Sequence, residues 1–378
     1  MKSISVLSSL VVLKLYNCKK CVQLPPLGKF PSLKTLDIID MKNVQYIDDS
    51  SYEHHSERAF ASLRTLSLRH LPKLEAMLRD QGAHMFPLLS QLTIRDLPVL
   101  SLPFLPSIEH LQVDRCNKEV LKSISNFNNH LTFLQLCYNT DMVFNEQGMT
   151  MGNLYHLKTL HISEFTKLEA LPTELVNLSA LEELEITYCH ELVYFQEQVL
   201  EGLRSLRTLR ISYCEKFKSL SEGIQHLTSL EKLDIRGCPE LLALPNGIKH
   251  LTHLRAMTIA DRHKSYFVPF YTKIPIGPRP CCLIPEGLER VPSLHSLAIE
   301  DFDKLASLPD CLGKLASLRR LHISSCHELM SLPASIQHLT NLEEMRISHC
   351  TELGKRCKKG TGNEWYKIAH VPQVEVYP

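Results

Sequence analysis

Hydrophobic and polar positions alternate in a short pattern that recurs along the chain. Its clearest form reads Leu-x-x-Leu-x-Ile-x-x-Cys and is followed by Leu-Pro-x-x-Ile-x-x-Leu. In Leu184-Glu185-Ile186 the two aliphatic side chains point to one side of an extended strand, and the glutamate points to the other. Each copy therefore predicts one short β-strand with a buried side and a solvent-facing side.

Fourteen copies can be counted from the first leucine of each. They begin at residues 10, 33, 63, 89, 108, 131, 157, 181, 206, 230, 254, 294, 318 and 342. A period in the twenties with one strand per unit is typical of a leucine-rich-repeat solenoid. We expect an α/β fold of these 14 repeats, shaped as a curved horseshoe, with a parallel β-sheet on the concave face and short helices and loops on the convex face.

The Leu-Pro element marks the turn onto the convex face. Proline fixes φ and lacks an N–H donor, which suits the first position of a helical turn. The prolines concerned are Pro172, Pro245, Pro309 and Pro333. The apolar residues that follow, such as Ile336 and Leu339, have the three-residue spacing of one helical face. A short helix is therefore expected after each Leu-Pro.

The pattern predicts one solenoid domain over residues 1–356, with a long irregular unit at 254–293. Residues 357–378 are predicted to form a C-terminal capping segment, because apolar residues continue there without the repeat spacing. They are Trp365, Ile368, Val371, Val374 and Val376. No comparable cap precedes the first unit, so we expect a fragment, a truncated product or the repeat half of a larger protein.

Charge and cysteine content narrow the classes of function. The 42 basic and 41 acidic residues nearly cancel, which disfavours nucleic acid as a partner, and no apolar run reaches the roughly 20 residues of a membrane span. Seven of the 13 cysteines share one repeat position, where most other units have Met, Leu or Phe: Cys18, Cys116, Cys189, Cys214, Cys238, Cys326 and Cys350. Such a position is buried and its thiol free, which predicts a reducing cytoplasmic or nucleo-cytoplasmic location.

No known pattern of catalytic or cofactor-binding residues occurs in the sequence. Phosphate-binding Gly-x-x-x-x-Gly-Lys-Ser/Thr, His-Glu-x-x-His and Gly-x-Ser-x-Gly are all absent. Cys18-Lys-Lys-Cys21 has no second cysteine pair at zinc-finger spacing. The sequence therefore predicts a chain that is not an enzyme and has no catalytic, metal-binding or cofactor-binding residues.

Function is expected in the solvent-facing residues that differ between strands. Tyr and Arg are favoured at interface hot spots, and the candidates for protein binding on the concave face are Tyr138, His161, Tyr188, Arg210, Tyr213, Arg236, His322 and Arg346. The long unit adds four aromatic residues in a proline-rich loop, namely Tyr266, Phe267, Phe270 and Tyr271. This loop either binds a partner or packs back on the solenoid, and both interpretations stay open.

The chain resembles the leucine-rich-repeat domain of plant intracellular nucleotide-binding leucine-rich-repeat (NLR) disease-resistance proteins of the coiled-coil subclass. The resemblance rests on the repeat pattern and on two local stretches. They are Leu24-Pro-Pro-Leu-Gly-Lys-Phe-Pro-Ser-Leu-Lys-Thr-Leu36 and Gly362-Asn-Glu-Trp-Tyr-Lys-Ile-Ala-His-Val-Pro372.

This resemblance implies a protein-recognition and autoregulatory module of an intracellular immune receptor. Its partners would be a pathogen effector or modified host protein, and the nucleotide-binding domain of the receptor, in the same chain or in trans. ADP or ATP is expected only in that domain, which is missing from this sequence, so no cofactor is expected here.

Two other classes of function stay open. One is a substrate-recruiting repeat scaffold of a ubiquitin ligase complex, which an F-box-like segment ahead of the repeats would favour. The other is an extracellular receptor ectodomain. That class typically has Leu-x-Gly-x-Ile-Pro repeats and many glycosylation sequons, whereas this sequence has the single sequon Asn177-Leu-Ser179.

Overall fold

The computed structural model describes residues 8–48, 58–78, 84–97, 102–116, 118–124, 130–137, 153–241, 243–261 and 287–377. The chain divides into two compact units. The N-terminal unit comprises residues 1–168 and 174–181, and the C-terminal unit comprises residues 169–173 and 182–378. Each unit contains its own run of repeat strands.

In the N-terminal unit, parallel repeat strands alternate with shorter side strands. The strands are β1 (Val12–Tyr16), β2 (Thr35–Ile39), β3 (Tyr46–Asp48), β4 (Arg58–Ala59), β5 (Thr65–Arg69), β6 (Ala76–Leu78), β7 (His84–Met85), β8 (Gln91–Leu97), β9 (His110–Cys116), β10 (Phe133–Cys137) and β11 (Thr159–Ser163). The main sheet has the order β1-β2-β5-β8-β9-β10-β11, and β3 pairs with β6 and β4 with β7 beside it. Leu13 aligns with Leu36, and Leu36 with Leu66, so equivalent repeat positions stay in register.

The C-terminal unit continues the pattern with parallel strands in sequence order. They are β12 (Glu183–Thr187), β13 (Thr208–Ser212), β14 (Lys232–Arg236), β15 (Ala256–Ala260), β16 (Ser296–Glu300), β17 (Arg320–Ser324), β18 (Glu344–Ser348) and β19 (Gln373–Tyr377). Each strand pairs with the next one in the chain.

Alternation along each strand determines which side chains form the core. In β13, Leu209 and Ile211 are fully buried, whereas Thr208 and Arg210 on the other side are half-buried. A repeat strand begins two residues after the first leucine of all fourteen predicted copies. The predicted α/β leucine-rich-repeat solenoid, with its parallel sheet and short helices, is therefore confirmed.

Short helices follow the Leu-Pro elements, as expected. Pro245, Pro309 and Pro333 each precede the first residue of a 3-10 helix. The 3-10 helices are Leu27–Lys29, Thr173–Asn177, Glu222–His226, Asn246–His250, Leu288–Arg290, Asp310–Lys314, Ala334–His338 and Trp365–Lys367. The α-helices are α1 (Lys118–Ile124), α2 (Glu197–Gly202) and α3 (Thr351–Arg356). Within the described ranges, none of these helices has the length and apolar character needed to cross a membrane.

The cysteines at the shared repeat position are mostly buried, as predicted. Five of these seven cysteines are buried and free, namely Cys116, Cys189, Cys214, Cys326 and Cys350. Cys350 Sγ lies 3.4 Å from the carbonyl oxygen of Ser348. The prediction is wrong for Cys18, which is exposed, and for Cys238, which is half-buried. Cys18 is exposed because β1 pairs on one side only in the described chain, and Leu13 in that strand is also only half-buried.

An acid–base pair covers the last Leu-Pro element. The backbone N–H of Leu332 donates to Glu364 Oε2 at 3.1 Å, and Lys367 Nζ donates to the carbonyl oxygen of Leu332 at 2.6 Å. Lys367 Nζ also lies 2.7 Å from Glu364 Oε2, and both side chains are 11% exposed. The pair therefore provides hydrogen-bond partners for both the N–H and the carbonyl group of Leu332. No further repeat strand of the described chain does this.

Candidate protein-binding face

The parallel register sets solvent-facing side chains of successive strands side by side. We call the solvent-facing side of the repeat strands the sheet face, and the line of middle residues in the C-terminal unit the central row. The central row contains Glu185, Arg210, Asp234, Thr258, Ala298, His322, Arg346 and Glu375. Of the predicted binding residues, Arg210, His322 and Arg346 lie in this row.

Tyr188 and Tyr213 form a stacked pair, which we call the tyrosine stack. Their ring centroids are 4.8 Å apart and their planes differ by 19°. Both residues directly follow their strands with φ near 56°, a left-handed conformation that is uncommon outside glycine. Gly237 occupies the same position in the next unit, and a β-carbon there would lie 2.6 Å from Tyr213 Cδ1. The absent side chain of Gly237 therefore leaves room for the Tyr213 ring.

Arg210 is held between two carboxylates, three residues before Tyr213. Its Nη1 forms an ion pair with Glu183 Oε1 and lies 3.6 Å from Glu185 Oε2. All three side chains are about a third exposed. The two carboxylates hold the guanidinium in place on the sheet face. Because about a third of its side chain is exposed, a partner can still reach it.

Arg236 links two strands that are not adjacent. Its Nε lies 2.8 Å from Asp234 Oδ1 in its own strand, and its Nη1 lies 2.8 Å from Glu300 Oε2 in β16. Ala260, in the intervening strand β15, is only 4% exposed although it belongs to the solvent-facing side. The ion pair between Arg236 and Glu300 therefore crosses over β15.

His322 and Arg346 extend these contacts along the sheet face. His322 Nδ1 lies 3.7 Å from Glu300 Oε1, and its Nε2 lies 3.2 Å from Ser348 Oγ. Burial lowers the pKa of His322; Glu300 opposes this shift and Arg346 reinforces it. Arg346 Nε lies 3.7 Å from Glu375 Oε2, and its guanidinium carbon lies 5.1 Å from the centre of the Tyr377 ring.

The remaining predicted residues belong to the N-terminal unit or lie outside the described residues. His161 belongs to the N-terminal unit, where its ring lies edge-on to Phe133 at 5.2 Å. Tyr138 and the aromatic residues Tyr266, Phe267, Phe270 and Tyr271 lie outside the described residues. Binding through these residues stays a prediction.

A second charged cluster, on the N-terminal unit, was not identified from the sequence. Arg95 Nε lies 3.0 Å from Asp114 Oδ2, and Arg115 Nε lies 3.6 Å from both Asp114 Oδ1 and Asp96 Oδ1. Burial raises the pKa of Asp114 even though Arg95 and Arg115 lower it. Alignment of the residues six positions after the first leucine of each repeat could have found Arg95 beside Asp114, since the register pairs them.

Three of the free thiols are chemically quiet. Burial raises the pKa of Cys116 to about 12, that of Cys137 to about 11 and that of Cys357 to about 12. The thiolate is the reactive form of cysteine, so these three side chains stay protonated near neutral pH and pack as small apolar groups.

Known proteins share the repeats of this chain. Residues 1–41 match a family model described as R13L1/DRL21 LRRs, and residues 95–215 match one described as plant disease resistance protein RPS2-like, leucine-rich repeats. The putative disease resistance protein RGA1 of Solanum bulbocastanum is 36% identical over 172 residues, which is 45% of this chain and 17% of that protein. Disease resistance protein RGA2 of the same species is 35% identical over 178 residues, 46% of this chain and 16% of the relative. The matched region thus spans less than a fifth of either relative.

A solved structure with the same fold is that titled TLR13-ssRNA13 complex. Its TM-score is 0.50 at 19% identity, and the match covers 92% of this chain and 56% of that chain. At this level of identity the likeness concerns the fold alone.

Proposed function

We propose, for a chain whose repeats are those of a plant disease resistance protein, that the sheet face recognises proteins and that the chain has no catalytic role of its own. In this proposal it is the recognition and autoregulatory module of an intracellular immune receptor. Its ligand is a pathogen effector or a modified host protein. Its resting partner is the nucleotide-binding domain of the receptor.

The tyrosine stack, in which Tyr213 directly follows the strand that contains Arg210, is the observation that carries this proposal. Tyr and Arg dominate interface hot spots because they combine a large contact area with polar groups. Stacking holds Tyr188 and Tyr213, and ion pairs hold Arg210, before any partner arrives. Less conformational freedom is then lost on association, which favours affinity.

Regulation follows from differential binding to the same face. A ligand shifts a receptor between two states only by as much as its affinities for the two states differ. If the nucleotide-binding domain covers the sheet face at rest, a ligand that competes for this face favours the open receptor. The two partners therefore exclude each other at the sheet face.

Cysteine chemistry supports an intracellular location in this proposal. All eleven described cysteines are free, and disulfides are rare in the reducing cytosol. We also propose that residues 357–378 cap a solenoid formed by residues 1–356. The Glu364–Lys367 pair over Leu332 and the pairing of β19 with β18 support this division.

Charge reversal at Arg210 combined with truncation of the stack tests the proposed function. We expect Arg210→Glu/Tyr188→Ala/Tyr213→Ala to weaken binding to the separately expressed nucleotide-binding domain of the same receptor by more than about tenfold, because each truncated hot spot costs about 2 kcal/mol. Binding is measured by co-precipitation and then by titration.

The matched control reverses one charge and removes one aromatic ring elsewhere in the same unit. Lys249→Glu/His250→Ala alters the 3-10 helix Asn246–His250, where both residues are exposed, and should leave binding unchanged. Circular dichroism confirms that both proteins are folded. A folded triple variant that binds as tightly as the unaltered chain would contradict the proposal.

A further inference from the structure

Two basic side chains on the sheet face of the C-terminal unit form no ion pair with a described residue. Arg210, Arg236 and Arg346 each have a carboxylate within 4 Å. Lys232 at the start of β14 and Arg320 at the start of β17 make no ion pair with any described residue. On strands β14 to β17 the sheet face thus carries Lys232, Arg236 and Arg320 against Asp234 and Glu300, an excess of one positive charge, and Glu344 of β18 is aligned with Arg320.

A groove separates the two cations. The register places Ala256 beside Ser296 and Thr258 beside Ala298, so the two intervening strands present short side chains to solvent. From β14 to β17 there are three interstrand spacings, or about 14 Å, which admits one extended chain with its side chains. The groove is thus walled by long charged side chains of β14 and β17.

The opposite end of the groove is closed. Arg236 and Glu300 pair at 2.8 Å across β15 and cover Ala260. His322, on the wall formed by β17, has its own contacts with Glu300 and Ser348. Charge is therefore balanced at the closed end, and the open end between Lys232 and Arg320 is the part that attracts a charged partner.

We propose that this groove binds an extended acidic segment of a partner protein, with its carboxylates at Lys232 and Arg320 and a small apolar side chain over Ala298. This inference rests on the proposed function and specifies the chemistry of the partner. Complementary charge sets the rate of encounter and the choice of partner more than the final affinity.

The chain's own long loop does not supply that segment. Residues 262–286, which lie outside the described residues, contain Arg262, Lys264, Lys273 and Arg279 against one acid, Glu286. A segment with this charge repels Lys232 and Arg320.

Fluorescence anisotropy with labelled peptide pools tests the proposal on the full chain. The acidic pool contains 12-residue peptides of Glu, Asp, Ala and Leu; the basic pool replaces the acids by Lys and Arg. The acidic pool is expected to bind and the basic pool not to bind. Lys232→Glu/Arg320→Glu should weaken acidic-pool binding about tenfold or more, and added salt should weaken it further.

Three further variants separate the groove from general surface charge. Lys249→Glu/Lys314→Glu makes the same charge change at exposed positions on 3-10 helices, and should leave binding unchanged. Glu344→Gln should strengthen it, because Glu344 is aligned with Arg320. Ala298→Leu should abolish it by filling the groove while the charges stay in place.

The proposal is overturned if the acidic pool does not bind, if the Lys232/Arg320 double variant binds it as well as the unaltered chain does, or if Ala298→Leu has no effect. These failures are distinct from failure of the proposed function. The nucleotide-binding domain would then still depend on Arg210 and the tyrosine stack while the acidic peptides did not use the groove.

Discussion

Replacing Lys367 by alanine is expected to lower the free energy of unfolding of the C-terminal repeats by about 3 kcal/mol. Removing one partner of a buried ion pair costs about 3–5 kcal/mol because the other charge is left without compensation. Glu364 would be that charge, at 11% exposure, and the carbonyl group of Leu332 would also lose its donor. The loss is measured by urea denaturation and by hydrogen exchange of β18 and β19.

The chain offers a matched control for this prediction. Lys355 and Glu352 have the same three-residue spacing and lie 2.8 Å apart, but their side chains are 67% and 42% exposed. Lys355→Ala should therefore leave stability unchanged within error, since exposed pairs contribute little. Equal effects of the two substitutions would show that the Glu364–Lys367 pair does not stabilise the end of the solenoid.

Replacing Gly237 by valine is expected to cost about 2–3 kcal/mol of stability and to weaken partner binding as well. A left-handed conformation costs an L-residue roughly 1–2 kcal/mol, and a β-branched side chain tolerates it least. Gly237 has φ near 57°, and its new β-carbon would lie 2.6 Å from the Tyr213 ring. The ring must move, which disrupts the tyrosine stack.

Gly360→Val isolates the backbone contribution. Gly360 also has positive φ, at 75°, but no atom lies within 4 Å of its hypothetical β-carbon. This variant should lose stability through backbone strain only and keep full partner binding. If Gly237→Val and Gly360→Val have the same effect on binding, then the close approach of Gly237 to Tyr213 does not contribute to partner binding by the sheet face.

The strands of the repeats could be predicted because alternation and period are local properties of the sequence. β19 could not be predicted in this way. Val374 and Val376 lack the leucine spacing, and only the register with Met345 and Ile347 shows that they extend the sheet. The burial of Asp48 could not be predicted from its neighbours in the sequence either. Asp48 is fully buried and accepts a hydrogen bond from the backbone N–H of Gly28, 20 residues away.

The sequence predicted which residues of the candidate site lie on the sheet face. It did not predict the contacts between their side chains. Alternation alone placed Arg210, His322 and Arg346 on one face. The pair between Arg236 and Glu300 joins residues 64 positions apart across the long unit, so no sequence spacing indicates it. Stacking of Tyr188 on Tyr213 likewise depends on the left-handed turn after each strand. These contacts arise from the register of whole repeats.

Hydroxyl-radical footprinting of individual tyrosines tests the central claim most directly. The full chain is oxidised alone and in complex with a nucleotide-binding domain, the partner that we propose, and each tyrosine is quantified by mass spectrometry. Tyr188 and Tyr213 report on the sheet face. Tyr194 and Tyr366, which are 48% and 64% exposed away from the repeat strands, are internal controls. Recognition through the sheet face predicts slower oxidation of Tyr188 and Tyr213 in the complex and unchanged rates at the two controls. Protection of Tyr194 or Tyr366 with no change at the tyrosine stack would contradict it.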